Sequence, residues 1–274
     1  MVKKFLEFDE VGYWSELKLD IIKAYATEYS KIISKQNIQH VYIDAFAGAG
    51  VHKSKSSGSY IDGSPTQALA VTPSFKEYHF IELDTKKVDH LKKLFGDNPN
   101  VSVYSGDCNQ ILLQDVFPKA RYEDFKRGLC LLDPYGLHLN WEVIETAGKM
   151  RSIEIFLNFP IADMNRNVFW RNPEGVRESD IERMNAFWGD ESWRDVVYTT
   201  KNDLFGHQDK EVNHVIAESF KERLKKVAGF KHVSQPLAMR NSNNAIIYYL
   251  FFASQKPVAK KIVEYIFDKY SQKG

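Results

Sequence analysis

The chain has 274 residues, of which 43% are hydrophobic and 27% charged, as is typical of a folded globular protein. Its formal net charge of +1 provides no global positive field for nucleic acid, so any such contact has to be local. Cys108 and Cys130 form no disulfide framework, and the longest apolar run, Ala245–Ala253, is too short to cross a bilayer. We therefore expect a cytoplasmic protein without a membrane segment, folded as one domain over residues 1–274.

Apolar runs and helical periodicities alternate along the first 160 residues. A helix is predicted over Trp14–Ile33 from apolar residues at helical spacing. A second is predicted over Ser64–Val71, with Ser64 as the N-cap and a proline in the first turn. Two more are predicted over Lys86–Leu94 and Trp141–Lys149. Strands are predicted, from short β-prone apolar runs, over Val41–Ala45, Tyr78–Leu83, Val101–Ser105, Leu129–Leu132 and Ile153–Phe159. The segment His52–Gly63 is rich in Ser, Gly and Lys and is predicted to be a polar loop. Alternating strands and helices indicate a parallel sheet with right-handed crossovers.

The alternation of strands and helices stops at residues 162–209. They contain three tryptophans and no clear strand beyond Val196–Thr199, so we predict a mostly helical insertion after the fifth strand that covers the carboxyl edge of the sheet. The remaining elements are two helices and two strands, predicted over Lys210–Val227, Pro257–Tyr270, Phe230–Met239 and Ala245–Ala253. The two strands flank the turn-forming sequence RNSNN, which predicts an antiparallel hairpin. The expected fold is α/β, with parallel strands closed by an antiparallel hairpin.

A glycine turn follows the first predicted strand, and an acidic residue stands at the end of each of the first three strands. The sequence VYIDAFAGAG places Asp44 at the end of its strand and Gly48 and Gly50 in the turn. Glycine at such positions lets the backbone pass close to a ligand. Glu82 ends the second strand, and Asp107 follows the third. This ordered series is typical of the S-adenosylmethionine site of class I methyltransferases.

These residues suit S-adenosylmethionine better than a dinucleotide, because the dinucleotide fingerprint needs a third glycine where this chain has Lys53. A carboxylate at Glu82 would accept both ribose hydroxyls, with Asp84 as a rival. Asp107 would accept the adenine amino group, cap the next helix, or do both. Asp44 would meet the amino group of the cofactor through water.

Two more residues belong to the predicted cofactor site. Phe46 lies in the glycine-turn sequence, and Lys18 lies in the first predicted helix. Lys18 would reach the carboxylate of the cofactor or a phosphate; the alternative is a place on a solvated helix face. The predicted cofactor is S-adenosyl-L-methionine.

A second predicted site follows the fourth strand, at the motif DPYG. The Asp133 carboxylate and the Pro134 carbonyl would accept the two N–H bonds of an exocyclic amine on a base and direct its lone pair at the methyl group. Tyr135 would stack on the flipped base. The same motif also suits a type I turn. Asn158 and Phe159 end the fifth strand and would line the target pocket, or they mark a chain exit before a proline.

The chain resembles the three-Cys-motif partner (TcmP) proteins, a methyltransferase-like family, over most of its length. The matching residues are Trp14, Lys18, DAFAGAG at 44–50, DGSP at 62–65, FIELD at 80–84, LDPYG at 132–136, FLNFP at 156–160 and FWG at 187–189. The AGAG turn and the loop after it are also similar to ribosomal-RNA adenine-N6 methyltransferases of the RlmJ type. The single proline of DPYG instead resembles the tRNA N2-guanine dimethyltransferases, so adenine and guanine both stay open. The resemblance implies cofactor roles for Asp44, Gly48, Gly50, Glu82 and Asp107.

We therefore predict a Rossmann-like class I methyltransferase fold and an S-adenosylmethionine-dependent methyltransferase that acts on an exocyclic amine of a nucleic-acid base, with RNA favoured over DNA. The resemblance also suggests a three-Cys-motif, radical-SAM-like protein as a partner. Two alternatives stay open: a methyltransferase-fold partner or binding module without turnover of its own, and a small-molecule or protein methyltransferase. The histidines and cysteines show no metal-ligand spacing, so no metal is predicted.

Overall fold

The structure is a computed structural model that describes residues 8–203 and 209–271. Within these residues the fold is mixed α/β with a mainly parallel central sheet, as predicted. No helix in the described ranges is both long and apolar enough to cross a membrane. The chain divides into two compact units, Met1–Leu131 with Tyr265–Gly274, and Leu132–Glu264. All of the predicted cofactor residues lie in the first unit, and the DPYG motif, Asn158 and Phe159 lie in the second.

The first unit contains a parallel sheet, a smaller sheet and four α-helices. Its strands are β1 (Glu10–Val11), β2 (Gln39–Asp44), β3 (Val51–Ser54), β4 (Tyr60–Asp62), β5 (Glu77–Glu82), β6 (Val101–Ser105) and β7 (Lys126–Leu132). Its helices are α1 (Tyr13–Ile33), α2 (Ser64–Leu69), α3 (Thr85–Phe95) and α4 (Cys108–Ile111). Four strands run parallel in the order β7-β2-β5-β6, which is a Rossmann-like arrangement. The carboxyl ends of β2, β5 and β6 therefore meet at one edge.

The predicted polar loop His52–Gly63 is instead a β-hairpin. Strands β3 and β4 pair antiparallel, and β1 joins β3 in parallel. The Ser54 hydroxyl donates a 2.6 Å hydrogen bond to Glu16 of α1, and Lys53 forms a 2.9 Å ion pair with Glu10. The hairpin is held by backbone pairing and polar contacts, so its sequence lacks the apolar alternation from which a strand is predicted.

The second unit contains α5 (Trp141–Met150), β8 (Ile153–Phe159), α6 (Ile161–Asn167), α7 (Glu178–Trp188), α8 (Trp193–Asp203), α9 (Asp209–Lys226), β9 (His232–Val233), β10 (Leu237–Arg240), β11 (Ile246–Ser254) and α10 (Pro257–Ser271). Helix α10 begins in this unit and ends in the first one. Strand β11 pairs antiparallel with β8, β9 and β10, which confirms the predicted closing hairpin. Helix α5 packs on β8, and α6 and α9 pack on β11.

The structure corrects one expectation in this unit. Val196–Thr199 lies in helix α8 and is not a strand. Trp193 and Val197, four residues apart, are at most 1% exposed, so they share the buried face of that helix. Packing of this face outweighs the β preference of the branched residues. The single domain and the cap over residues 162–209 stay predictions, and residues 204–208 lie outside the described part of the chain.

Candidate functional site

The glycine turn after β2 depends on glycine for its shape. Gly48 and Gly50 have φ angles of +62° and +77°, a region that L side chains rarely adopt. A Cβ on Gly50 would lie 3.3 Å from side-chain atoms of Leu91 and Phe95 in α3. A Cβ on Gly48 would meet only His52, at 3.6 Å. The backbone angle thus requires glycine at both positions, and packing against α3 adds a second reason at Gly50.

Hydrogen bonds from the start of α2 hold the glycine turn. The carbonyl oxygen of Gly50 accepts bonds from the N–H of Gly63 at 2.9 Å and the hydroxyl of Thr66 at 2.7 Å. A Cβ on Gly63 would lie 2.9 Å from the carbonyl carbon of Gly50, so this approach needs glycine. Gly63 is the N-cap of α2, a position that the sequence assigned to Ser64, which is instead the first helical residue. Contacts with the start of α2 therefore stabilise the glycine turn without a ligand.

Glu82, at the end of β5, is bonded directly to this turn. Its Oε2 atom accepts a 2.8 Å hydrogen bond from the N–H of Gly48. Its Oε1 atom accepts bonds from the N–H groups of Leu83 at 2.8 Å and Asp84 at 2.9 Å. Three backbone donors therefore fix the orientation of the half-buried carboxylate. A carboxylate has about four acceptor positions, so Oε2 keeps one for a ligand hydroxyl.

Glu82 and Asp84, the two candidates for the ribose acceptor, make different hydrogen bonds in the structure. Asp84 is the N-cap of α3, and its Oδ1 atom accepts hydrogen bonds from the N–H groups of Lys86 at 2.8 Å and Lys87 at 3.4 Å. This is the ordinary role of an aspartate before a helix. The carboxylate that contacts the glycine turn is that of Glu82.

Asp107 lies between β6 and α4 and caps that short helix. Its Oδ1 atom accepts hydrogen bonds from the N–H groups of Asn109 at 2.9 Å and Gln110 at 3.2 Å. These bonds show the capping role that the sequence offered as an alternative to adenine binding. The side chain is also exposed, so capping leaves it accessible to a ligand.

The other three predicted cofactor residues, Asp44, Phe46 and Lys18, differ in how far they are exposed to solvent. Asp44 is 0% exposed, and its Oδ1 atom accepts a 3.2 Å hydrogen bond from the N–H of Phe46. Phe46 is itself half-buried. Lys18 is 6% exposed, so it does not lie on a solvated helix face. A buried lysine needs a polar or charged partner, which favours a specific role over a surface one.

The two cysteines of the first unit are inert thiols. Burial, followed by the charge of Asp107, raises the pKa of Cys108 to about 12. Burial, followed by the charge of Asp44, raises the pKa of Cys130 well above its usual value. Because the thiolate is the nucleophile and the metal ligand, neither cysteine is suited to such a role at neutral pH. Within residues 8–203 and 209–271, no group of three or more His, Cys, Asp or Glu could hold a metal ion.

The DPYG motif of the second unit follows β7 as irregular backbone that bends at Tyr135 and Gly136. Pro134 is buried, Asp133 is half-buried, and the ring of Tyr135 is 64% exposed. Gly136 has a φ of +63°, so this position also favours glycine. An exposed aromatic ring beside a carboxylate is an arrangement that can stack on a flat ligand and accept its N–H groups.

Two residues that the sequence did not single out lie beside this motif. A Cβ on Gly136 would be 2.8 Å from Oδ2 of Asp163, whose Oδ1 accepts a 2.9 Å hydrogen bond from Asn167. Tyr248 of β11 is 4% exposed, and burial, followed by the charge of Asp133, raises its pKa well above its usual value. Tyr248 therefore stays protonated in the field of that carboxylate. Both residues are far from DPYG in the chain, so no local pattern points to them.

The two predicted target residues at the end of β8 have different environments. Asn158 is 8% exposed, and its buried Oδ1 accepts no hydrogen bond from any residue that the structure describes. Such a group costs about 1–3 kcal/mol unless a water or ligand satisfies it, so Asn158 is a candidate ligand contact. Phe159 is 0% exposed and packs against Phe187, Phe220 and Phe251, with ring centroids 4.6–5.9 Å apart. This placement favours a packing role for Phe159.

No protein-family description matches the chain, and no curated protein matches it. Among solved structures, the chain is similar to protein LPL1258 from Legionella pneumophila str. Philadelphia 1, with a TM-score of 0.52, 15% identity and 92% of each chain covered. It is also similar to TYW2 from M. jannaschii, solved in complex with AdoMet, with a TM-score of 0.38, 13% identity and coverage of 88% of this chain and 75% of that one. The first similarity shows a shared fold, and the second is too weak to carry an argument.

Proposed function

We propose that the protein is an S-adenosylmethionine-dependent methyltransferase that acts on an exocyclic amine of a nucleic-acid base, with RNA favoured over DNA. The observation that carries the proposal is the bond between Glu82 and Gly48, which joins the candidate ribose acceptor to the glycine turn. A carboxylate fixed by three backbone donors is preorganised to accept one hydroxyl of a ligand at its remaining acceptor position. When bound, the cofactor supplies an electrophilic methyl group.

The order of the acidic residues along the sheet supports this cofactor. Asp44, Glu82 and Asp107 stand at the carboxyl ends of the neighbouring strands β2, β5 and β6. Neighbouring strands are about 4.8 Å apart, so the three positions span roughly 10 Å. Their order is that of the amino group, the ribose and the adenine along S-adenosylmethionine. The chain thus offers one acceptor each to the amino group, the ribose and the adenine, and Gly48 and Gly50 permit close backbone approach.

The second unit supplies the proposed target residues. Asp133 and the carbonyl of Pro134 accept the N–H bonds of the amine, and Tyr135 stacks on its base. Tyr248, whose pKa is raised by burial and then by the charge of Asp133, is proposed to interact with that carboxylate through its hydroxyl. Asp133 is also placed to receive the proton that the amine loses after methylation. Asn158, with its unsatisfied oxygen, is proposed as a further contact of the base.

The resemblance to three-Cys-motif partner proteins and the two free cysteines support two further parts of the proposal. We propose a three-Cys-motif protein as a partner, because the family is named after that association. We also propose that the protein works in the cytoplasm, since its two buried cysteines are free thiols in a compartment that keeps thiols reduced.

Methyl transfer under single-turnover conditions tests the proposed function. S-adenosylmethionine labelled in its methyl group is incubated with the protein and, separately, with total RNA, total DNA and a protein mixture. We expect label in the RNA with the unchanged protein and with the control variant Asp89→Ala, which removes an exposed carboxylate of α3. Asp133→Ala should label the RNA at least about 100-fold more slowly. Label confined to the protein mixture would contradict the base as the target. Cofactor binding without any label would support a binding module instead.

A further inference from the structure

Trp170 differs from the other tryptophans of the second unit. Trp141, Trp188 and Trp193 are at most 6% exposed, whereas Trp170 is 43% exposed. Its ring stacks on no other aromatic ring of the described residues. An indole ring that is left half in solvent offers a flat apolar face on which a ligand can stack.

The exposed ring is also held in a fixed position. Its indole N–H donates a 2.7 Å hydrogen bond to the carbonyl oxygen of Arg166, and its backbone N–H donates a 2.8 Å bond to Val168. The two preceding residues, Val168 and Phe169, are 0% and 3% exposed and anchor the segment in the unit. A ring that is already ordered loses little entropy when a ligand stacks on it.

Two arginines without ion pairs accompany this ring. Arg166 and Arg171 are exposed, and neither forms a salt bridge with any residue in the described ranges. Residues 164–173 contain no carboxylate, and the nearest acid along the chain after them, Glu174, is exposed. The next arginine, Arg177, is by contrast paired with Asp180 at 2.7 Å. Arg166 and Arg171 stand on either side of Trp170 in the chain, and these three exposed residues are here named the Trp170 platform. The platform carries two positive charges that form no ion pair with the described residues.

Helix α6 connects this platform to the DPYG motif. Asp163, in the first turn of α6, lies against Gly136 of that motif. Arg166 follows Asp163 by three residues, which is about one helical turn or 4.5 Å along the axis. Trp170 is then bonded to the carbonyl of Arg166. The platform is thus within a short distance of the proposed target residues on the same compact unit.

We propose that the Trp170 platform binds the single-stranded nucleic acid that flanks the target base, an inference that rests on the proposed function. A neighbouring base stacks on the indole, and Arg166 and Arg171 bind the phosphates on either side. Aromatic stacking beside basic side chains is how proteins hold single strands without reading their sequence. The arrangement also explains how a chain of near-neutral net charge can bind an anionic polymer, since the positive charge is concentrated locally.

Binding of a fluorescein-labelled single-stranded RNA of 12 nucleotides, followed by fluorescence anisotropy without cofactor, tests the proposal. Trp170→Ala is expected to weaken binding by about tenfold or more, whereas Trp170→Phe keeps a ring and is expected to bind within about threefold of the unchanged protein. Titration with unlabelled RNA is expected to quench tryptophan fluorescence in the unchanged protein and much less in Trp170→Phe. A duplex of the same sequence should compete poorly, because its bases are not available for stacking.

The arginines are tested through the salt dependence of the same binding. The double variant Arg166→Gln with Arg171→Gln is expected to lower the slope of log K against log salt by about 1.4, or 0.7 for each lost phosphate contact. Lys256→Gln with Lys261→Gln is the matched control, because it removes two exposed charges of the same unit, before and within α10, that form no ion pair with the described residues. We expect this control to bind within about twofold of the unchanged protein.

Three results would overturn the inference: no RNA binding by the unchanged protein, unchanged binding by Trp170→Ala, or equal losses in the arginine and lysine double variants. These outcomes are distinct from failure of the proposed function. Cofactor binding that depends on Glu82, without RNA binding that depends on Trp170, would overturn only the platform. RNA binding through the platform by a protein that binds no cofactor would overturn only the proposed function.

Discussion

The carboxylate of Glu82 accepts a 2.8 Å hydrogen bond from the backbone N–H of Gly48, 34 residues earlier in the chain. This bond joins the end of β5 to the turn after β2, so the two parts of the candidate cofactor site are one rigid structure. The left-handed backbone of Gly48 helps to direct its N–H toward the carboxylate. Changes in the turn and changes at Glu82 should therefore affect ligand binding together.

The first prediction concerns the second glycine of the turn. Gly50→Ala should destabilise the protein by about 2 kcal/mol or more, because it combines a positive φ with contacts of 3.3 Å to Leu91 and Phe95. Gly58→Ala is the matched control: its φ is +69°, but a Cβ there would meet nothing within 4 Å. The control should cost only about 1 kcal/mol. Urea unfolding measures both, and equal losses would show that packing against α3 plays no part.

The second prediction concerns Asp133. Asp133→Ala should reduce methyl transfer by about 100-fold or more, because the amine loses a preorganised acceptor. Asp133→Asn keeps an acceptor oxygen but loses the charge, so it should retain part of the activity. Cofactor affinity should change little in either variant. Single-turnover rates and calorimetric titration with S-adenosylhomocysteine separate the two effects. Wild-type rates in Asp133→Ala would show that DPYG is only a turn.

The third prediction concerns the exposed ring of Tyr135. Tyr135→Phe should have a mild effect on methyl transfer and Tyr135→Ala a severe one, because stacking needs the ring and not the hydroxyl. The comparison is internal, since the two variants differ only in the presence of a ring. Equal losses in single-turnover rate would assign the role to the hydroxyl and would contradict stacking.

The fourth prediction concerns stability at acidic pH. Burial lowers the pKa of His79 to about 4, and its Nδ1 atom lies 3.0 Å from the hydroxyl of Tyr104. Between pH 6.5 and 4 the unfolded chain binds a proton at His79 that the folded protein excludes, so stability falls as the pH falls. From pH 7 to pH 5 the loss should be about 2 kcal/mol. Urea unfolding at both pH values should show a smaller loss in His79→Gln, and an unchanged loss would contradict this assignment.

The sequence was sufficient to predict the elements of the parallel sheet and the order of its acidic ends. Strands such as β2 and β5 are buried on both faces, so their apolar runs are continuous and easy to locate. The acidic residues at the strand ends could be located in the same way, because each one comes at or just after the end of such an apolar run. The structure was needed to show that Glu82 contacts the glycine turn and Asp84 caps α3, because two carboxylates two residues apart look alike until their hydrogen bonds are known.

Other features depend on contacts between residues that are distant in the chain. The hairpin over residues 51–62 pairs through its backbone and shows no apolar pattern. Val196–Thr199 was expected as a strand, but the helical spacing of Trp193 and Val197 on a buried face determines its structure. Asp163 and Tyr248 reach the surroundings of DPYG from other elements, and Phe159 proved to be part of an aromatic core. No local sequence pattern carries this information.

Calorimetric titration with S-adenosylhomocysteine tests the central claim most directly, with Glu82→Gln compared against Asp84→Asn. We expect one ligand to bind per chain in the unchanged protein and in Asp84→Asn, since asparagine is also a good helix cap. Glu82→Gln should lose binding by about 30-fold or more, because it removes a charged acceptor of the ribose and presents an N–H group to the backbone donors. Absence of binding in the unchanged protein, or equal affinity in Glu82→Gln, would contradict the cofactor site.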